Sequence, residues 1–284
     1  MNRRLSFILG ILVLLAVIHH FIKNASPEIT PFAKIKEIRV IEVENMASKD
    51  KFCFIKSTGG WEIITSTNYP AAFRRVRVLM AEIKKLKFET VISFSENKRF
   101  ENDLSSSSAI KLTVTGKKAV SILIGKQAFD RNHFYAGFEN DEKSYLAGGL
   151  RKELLLTGAD YYRNRILSST KEEDTAILKI KGGKKTYSVL RSSSGWNFRG
   201  NMPEDFYKTI AYCLNMKSSG FYDKRFNATH TIEIVAKDGG KIVWEFGKTG
   251  KNKFCARVPG KNGGYIIPTE KAKKIIKFFK KNTP

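Results

Sequence analysis

Hydrophobic and polar residues follow three different rhythms along this chain. Residues 5–22 (LSFILGILVLLAVIHHFI) are apolar almost throughout, with 13 of the 18 being Leu, Ile, Val or Phe. As a helix rising ~1.5 Å per residue the stretch is about 27 Å long, close to the ~30 Å of a hydrocarbon core. It predicts an N-terminal transmembrane helix, with Arg3 and Arg4 keeping the N-terminus inside. Lys23 stands where a signal-peptidase site needs a small residue, and no cysteine follows the apolar run. A retained signal-anchor is therefore expected rather than a cleaved leader.

The second rhythm has a period of two. It predicts half-buried strands at 36–44 (KEIRVIEVE), 52–57 and 61–64, the last two joined through Thr58-Gly59-Gly60. Strands at 109–115 (AIKLTVT) and 119–124 (AVSILI) follow, with Gly116-Lys117-Lys118 as their turn. The third rhythm is helical. Ala72, Val76, Leu79, Met80, Ile83 and Leu86 recur at three- and four-residue spacing and predict a helix over 70–87, with Pro70 in its first turn. The serine-rich run 96–108 reads as a loop.

These elements recur in order. Trp196 echoes Trp61 and Pro203 echoes Pro70. Gly247-Lys248 echoes Gly125-Lys126, and the C-terminal helix echoes a short one after Leu150. Several echoes in one order point to a duplication. The expected fold class is α+β: an N-terminal transmembrane helix followed by two tandem repeats, each a mainly antiparallel sheet covered by one main helix. The expected segments are 1–23 (membrane anchor), 24–35 (stalk, with Pro27 and Pro31), 36–168 (first unit) and 169–284 (second unit).

Composition sharpens this picture in one respect. An apolar fraction of 42% with 12% aromatic residues is that of a folded chain, but the formal net charge is +24. With Arg3 and Arg4 set aside, 49 basic against 27 acidic residues leave +22 on the remainder. Such a charge suits an anionic lipid surface or polymer. Cys53, Cys213 and Cys255 are widely separated and odd in number, so buried thiols are expected rather than a disulfide framework.

Several motifs together carry a resemblance: Gly60-Trp61 between strands, the segment opened by Pro70, Ile124-Gly125-Lys126, Phe134-Tyr135, Ser144-Tyr145, and Tyr162-Arg163-Asn164-Arg165-Ile166-Leu167. With them the chain resembles the "domain of unknown function 4340" family. That resemblance implies a unit that commonly occurs twice in membrane-anchored bacterial envelope proteins, with no established activity. It also implies, for some members, a link to auxiliary components of ABC-2-type transporters of gliding-type systems. The chain departs from the common pattern at Phe100-Glu101-Asn102-Asp103-Leu104 and the serines that follow.

Motifs for chemistry are not found. There is no nucleophile elbow, Walker loop or dinucleotide fingerprint, and His133 and His230 stand apart from other metal-ligand types. No catalytic residue, cofactor or metal is expected, nor any specific nucleic-acid recognition. Trp61 and Trp196 could stack on a ligand, but ending strands they read first as core plugs. The candidate contact surface is the C-terminal helix, where Lys271, Lys273, Lys274, Lys277, Lys280 and Lys281 surround a face of Ala272, Ile275, Ile276 and Phe279. The expected function is that of a non-enzymatic structural or interaction protein, held at the inner membrane with its bulk extracytoplasmic or periplasmic. It would serve as an auxiliary component of an ABC-type transporter or envelope complex. The alternative is a basic binding module for an anionic polymer or membrane surface.

Overall fold

The computed structural model describes residues 28–105, 107–183, 185–197, 205–260 and 263–281. The expected transmembrane helix at 5–22 lies outside them. Packing divides the chain into two units. One joins the described part of Met1–Trp61 to Phe73–Ala159, and the other joins Glu62–Ala72 to Asp160–Pro284 as far as it is described.

The first sheet is seeded by β1 (Val40–Asn45), where Ile41 and Val43 are buried between half-buried neighbours, as a pleat with one inner face requires. It continues into β2 (Asp50–Ser57), β3 (Gly60–Ile64) and β4 (Asn68–Pro70). Next come α1 (Phe73–Lys85), β5 (Lys87–Ser93) and α2 (Glu96–Glu101). The run then passes through β6 (Ile110–Thr115), β7 (Ala119–Gln127), β8 (Phe134–Phe138) and β9 (Ser144–Gly148), and ends in two single turns, α3 (Glu153–Leu156) and α4 (Ala159–Tyr162). All pairings are antiparallel, in the order β4-β3-β2-β1-β6-β7-β8-β9-β5.

The second sheet comprises β10 (Thr175–Gly182), β11 (Lys185–Ser192), β12 (Gly195–Asn197), β13 (Gly220–Tyr222), β14 (His230–Ala236), β15 (Lys241–Lys248), β16 (Phe254–Arg257) and β17 (Gly264–Ile267). The helix α5 (Phe206–Leu214) lies between β12 and β13 in sequence, and α6 (Thr269–Lys281) closes the described chain. The strand order is β12-β11-β10-β14-β15-β16-β17-β13. Apart from β4, the two sheets share one connectivity. Three strands step outward, a helix leads to a strand on the far edge, and four strands then fill the gap back to it.

Glycines mark a shared detail. A Cβ on Gly125 would stand 1.9 Å from the Asn102 carbonyl oxygen, and one on Gly247 would stand 2.3 Å from that of Asn227. In each unit the Gly-Lys step thus lets a loop carbonyl press against the strand, which no other residue permits.

This architecture corrects the expected fold class. The structure is mostly two antiparallel sheets, with 43% strand against 19% helix, and not the expected α+β chain of helix-covered repeats; the leading transmembrane helix of that expectation falls on residues outside those described. The two longest described helices, α1 and α6, have 13 residues each, about 20 Å at ~1.5 Å per residue. None of the described helices is long and apolar enough to cross a membrane. The helical content was overestimated at both ends of α1. Pro70 closes β4 opposite Glu62 instead of opening the helix, a place an edge strand allows because proline lacks the N–H a central ladder needs. In the other direction, the expected loop at 96–108 contains α2, fixed by a buried arginine. Arg99 donates to the carbonyls of Phe138 (3.3 Å) and Lys143 (3.0 Å), and also to that of Asp141.

Candidate functional site

From Tyr162, the last residue of α4, the chain runs on through Arg163-Asn164-Arg165-Ile166-Leu167 in the second unit, gripped on both sides. Ala72 N–H donates to the Tyr162 carbonyl (2.7 Å) and Asn164 N–H to the Pro70 carbonyl (2.8 Å). Farther on, Ser218 N–H donates to the Arg165 carbonyl (2.8 Å) and Leu167 N–H to that of Met216 (2.9 Å). With its backbone fixed, Arg163 turns its side chain inward and is 3% exposed.

Its guanidinium is enclosed by two carboxylates, a hydroxyl and two rings. Nη1 donates to Asp160 Oδ1 (2.8 Å) and Asp223 Oδ2 (3.4 Å), and Nη2 donates to Thr65 Oγ1 (2.7 Å) and Asp223 Oδ2 (3.3 Å). The Tyr69 ring centroid lies 4.3 Å and the Phe221 centroid 5.0 Å from the guanidinium carbon. Two anions and two π faces offset the cost of taking this cation out of water. Nε is buried without a partner.

Asp223 joins the parts. Its Oδ1 accepts from Tyr69 (2.7 Å) and Thr67 (3.0 Å) while Oδ2 faces Arg163. Burial pushes its carboxyl up, but the Tyr69 hydroxyl, the Arg163 charge and Thr67 together hold it below the ordinary value. Tyr69 is pushed above the usual phenol range by burial and by the negative charge of Asp223. Burial raises Tyr265, which meets Tyr69 edge-on at 5.4 Å, to about 12. Neither phenol ionises near neutrality, and both guanidinium nitrogens that face the carboxylates are taken up. The arrangement ties Thr65, Tyr69, Asp160 and Asp223 around one buried cation, with Asp160 and Asp223 keeping 67% and 40% of their side-chain surface in solvent.

A small pocket lies beside it, lined by Glu62, Asn68, Tyr69, Pro70, Val258, Gly263 and Tyr265, with a volume of ≈ 70 Å³. A second, in the first unit, is lined by Ile29, Phe88, Glu89, Thr90, Val91, Lys143 and Tyr145 and holds ≈ 180 Å³. Both fall below the roughly 300–1,000 Å³ of ordinary small-molecule sites.

Of the six lysines expected to form a contact surface, Lys273, Lys274 and Lys277 are exposed on α6 and Lys271 is half-buried, while Ala272 and Ile275 are buried. Lys271 and Lys274 lie 5.2 and 5.9 Å from the ring centroid of Tyr212 on α5, so part of the row rests on its own unit. The side chains of Lys280 and Lys281 lie outside the description. Trp61 and Trp196 are 8% and 4% exposed, which leaves neither face free to stack on a ligand.

His133, isolated in sequence, is not isolated in space. Its Nε2 is 3.0 Å from Glu89 Oε2 and its Nδ1 bonds Asp130 Oδ2. The two carboxylates take opposite ring nitrogens rather than converging on one point, and no metal-holding group of three or more such residues occurs among the described residues. The Asp130–His133 spacing could have revealed the contact with Asp130. For the Arg163 cluster the one local sign is Tyr69 before Pro70, since a residue preceding proline is driven to extended conformations. Asp223, 154 residues further on, carried no such signal.

No curated protein and no solved structure matches the chain significantly. A family profile described as "Domain of unknown function (DUF4340)" matches residues 61–235. That range contains Tyr69, Arg163 and Asp223 and stops short of the lysines of α6. With more than half of its length matched, the chain belongs to the DUF4340 family.

Proposed function

We propose that this protein is a non-enzymatic interaction module held at the inner membrane through residues 5–22, its bulk on the extracytoplasmic side, where it serves a transporter or envelope complex. The observation that carries the reading is the closure of the Arg163 cluster. The side chains there with most chemical capacity are spent on one another, in the segment that contributed to the family resemblance, so the motif preserves a shape for others to bind. The apolar run at 5–22 and the cationic Arg3 and Arg4 before it support the placement. The test is mild detergent extraction of the full chain followed by affinity purification. A recurrent stoichiometric membrane-protein partner is expected, and recovery of a solitary monomer from its native membrane would overturn the reading.

A second reading is favoured by the exposed Lys273, Lys274 and Lys277 on α6: a basic module for an anionic polymer or lipid surface. It requires salt-sensitive binding to phosphatidylglycerol vesicles that weakens when these three lysines are replaced by glutamine. Binding unchanged by that replacement would remove the lysines from the account.

A further inference from the structure

The turn between β7 and β8 carries the most exposed aromatic side chain of the described chain: Phe129, at 104% of its reference area. Isolated exposed rings are common on protein surfaces, but this one sits on a tip that is held rigid. Ala128 N–H donates to the His133 carbonyl (2.8 Å), and Asp130 Oδ1 accepts from the N–H groups of Asn132 (3.2 Å) and His133 (3.1 Å). Arg131 takes a left-handed φ of 60° to make the bend. His133 then ties the turn to Glu89 of β5 at 3.0 Å. These bonds fix the backbone of the turn, and the Phe129 ring stands outside it.

Its neighbours give the position meaning. Next to Glu89, Phe88 exchanges backbone hydrogen bonds with Ile29, Phe88 N–H donating at 2.7 Å and Ile29 N–H at 3.0 Å. Lys87 faces both Glu89 (3.2 Å) and Glu28 (3.7 Å). Glu28 and Ile29 are thus fastened to the start of β5, beside the Phe129 turn. Only residues 23–27 separate Glu28 from the end of the apolar run at Ile22. Six backbone steps, fully extended, reach about 20 Å. Lys126 and Arg131 are the exposed cations of the turn, Lys87 being paired with Glu28 and Glu89 and His133 standing between Glu89 and Asp130.

We infer that the β7–β8 turn is a membrane-contacting tip, with the Phe129 ring entering the interfacial layer of the bilayer and Lys126 and Arg131 facing anionic headgroups. This rests on the proposed placement of residues 5–22 in that membrane. An aromatic ring flanked by cations matches the chemistry of the interface, where the ring leaves water and the charges stay in it. The short link leaves the turn within reach of the surface and makes the contact effectively intramolecular.

The test uses the full chain in lipid nanodiscs containing phosphatidylglycerol with brominated acyl chains. Phe129→Trp is compared with Phe100→Trp, at an exposed ring on α2, which Arg99 holds against the β8–β9 turn at the other end of β8. The expected result is a blue shift and loss of emission for the indole introduced at 129, relative to the unsubstituted protein, with no change for that at 100. If the protein remains embedded but position 129 stays unquenched, the tip is not a membrane contact, while the membrane placement survives. If the full chain does not stay with the lipid at all, the placement falls and this inference with it.

Discussion

Arg163 lies over the ring of Tyr69 with its guanidinium carbon 4.3 Å from the ring centroid, and Asp223 bonds both residues. The cation, the ring and the carboxylate thus form a three-way contact in which each member satisfies the other two. Removing the cation would leave Asp223 and the Tyr69 face without their partner. Arg163→Ala is expected to destabilise the second unit by about 1–3 kcal/mol, chiefly through the lost packing against two rings and the lost bond to Thr65, because Asp160 and Asp223 are 67% and 40% exposed and return to water. Arg163→Lys recovers little of it, because an ammonium cannot span Asp160, Thr65 and Asp223 at once. Urea unfolding followed by the near-ultraviolet signal of the tyrosines would measure both.

Acid should expose the same contact. Asp223 has its carboxyl held below the ordinary value in the folded protein, so its contribution is present above the unfolded value of about 3.9 and is lost as pH falls through the folded one. Urea midpoints measured from neutrality downward are expected to drop below about pH 4 in the native chain. Asp223→Asn starts from a lower midpoint and shows a shallower acid fall. An identical acid slope in the variant would place the sensitivity elsewhere.

The Gly-Lys steps make a steric prediction. Gly125→Ala drives a methyl to 1.9 Å from the Asn102 carbonyl oxygen, and because backbone has to move the expected cost is about 1–3 kcal/mol or more. Gly250→Ala, with nothing within 4 Å of its added carbon, should stay within about 0.5 kcal/mol of the parent. Thermal unfolding of the pair separates close packing from a general dislike of alanine.

The cysteines should differ in reactivity. Burial pushes the Cys213 thiol up to about 12 and raises those of Cys255 and Cys53 as well, but Cys53 alone is only half-buried. Since the thiolate is the reactive form, Cys213 and Cys255 are expected to resist a disulfide reagent until the chain unfolds, with Cys53 titrating slowly in the native state. Equal native rates for all three would contradict the packing around α5 and β16.

The two-residue rhythm makes much of the sheets legible in advance. The expected strands at 109–115 and 119–124 lie within a few residues of Ile110–Thr115 and Ala119–Gln127, because each has one face in the core and one outside. Helix is less legible. Val76, Leu79 and Ile83 are buried as their spacing demands, yet Pro70 sits in a strand where local preference alone allowed a helix start. The Arg163 cluster was illegible for a different reason. Tyr69, Arg163, Phe221 and Asp223 meet only through the fold, and an arginine in sequence looks the same whether it faces water or two aromatic rings. Asp130 and His133 were close enough to be seen; Glu89 was not.

The shared strand order also sets a timetable. In each unit the far-edge strand is made early and paired late: β5 waits for β9 and β13 waits for β17, each the last strand of its sheet. Until then its sheet-side hydrogen-bonding groups have no partner, and the pairings that complete each unit join distant parts of the chain. Such connectivity slows folding and leaves strand edges open to wrong partners while synthesis proceeds. A chain cut before Ser144 therefore carries β5 without the neighbour that completes it, and an unfinished unit of this kind is a substrate for chaperones and proteases rather than a smaller working protein.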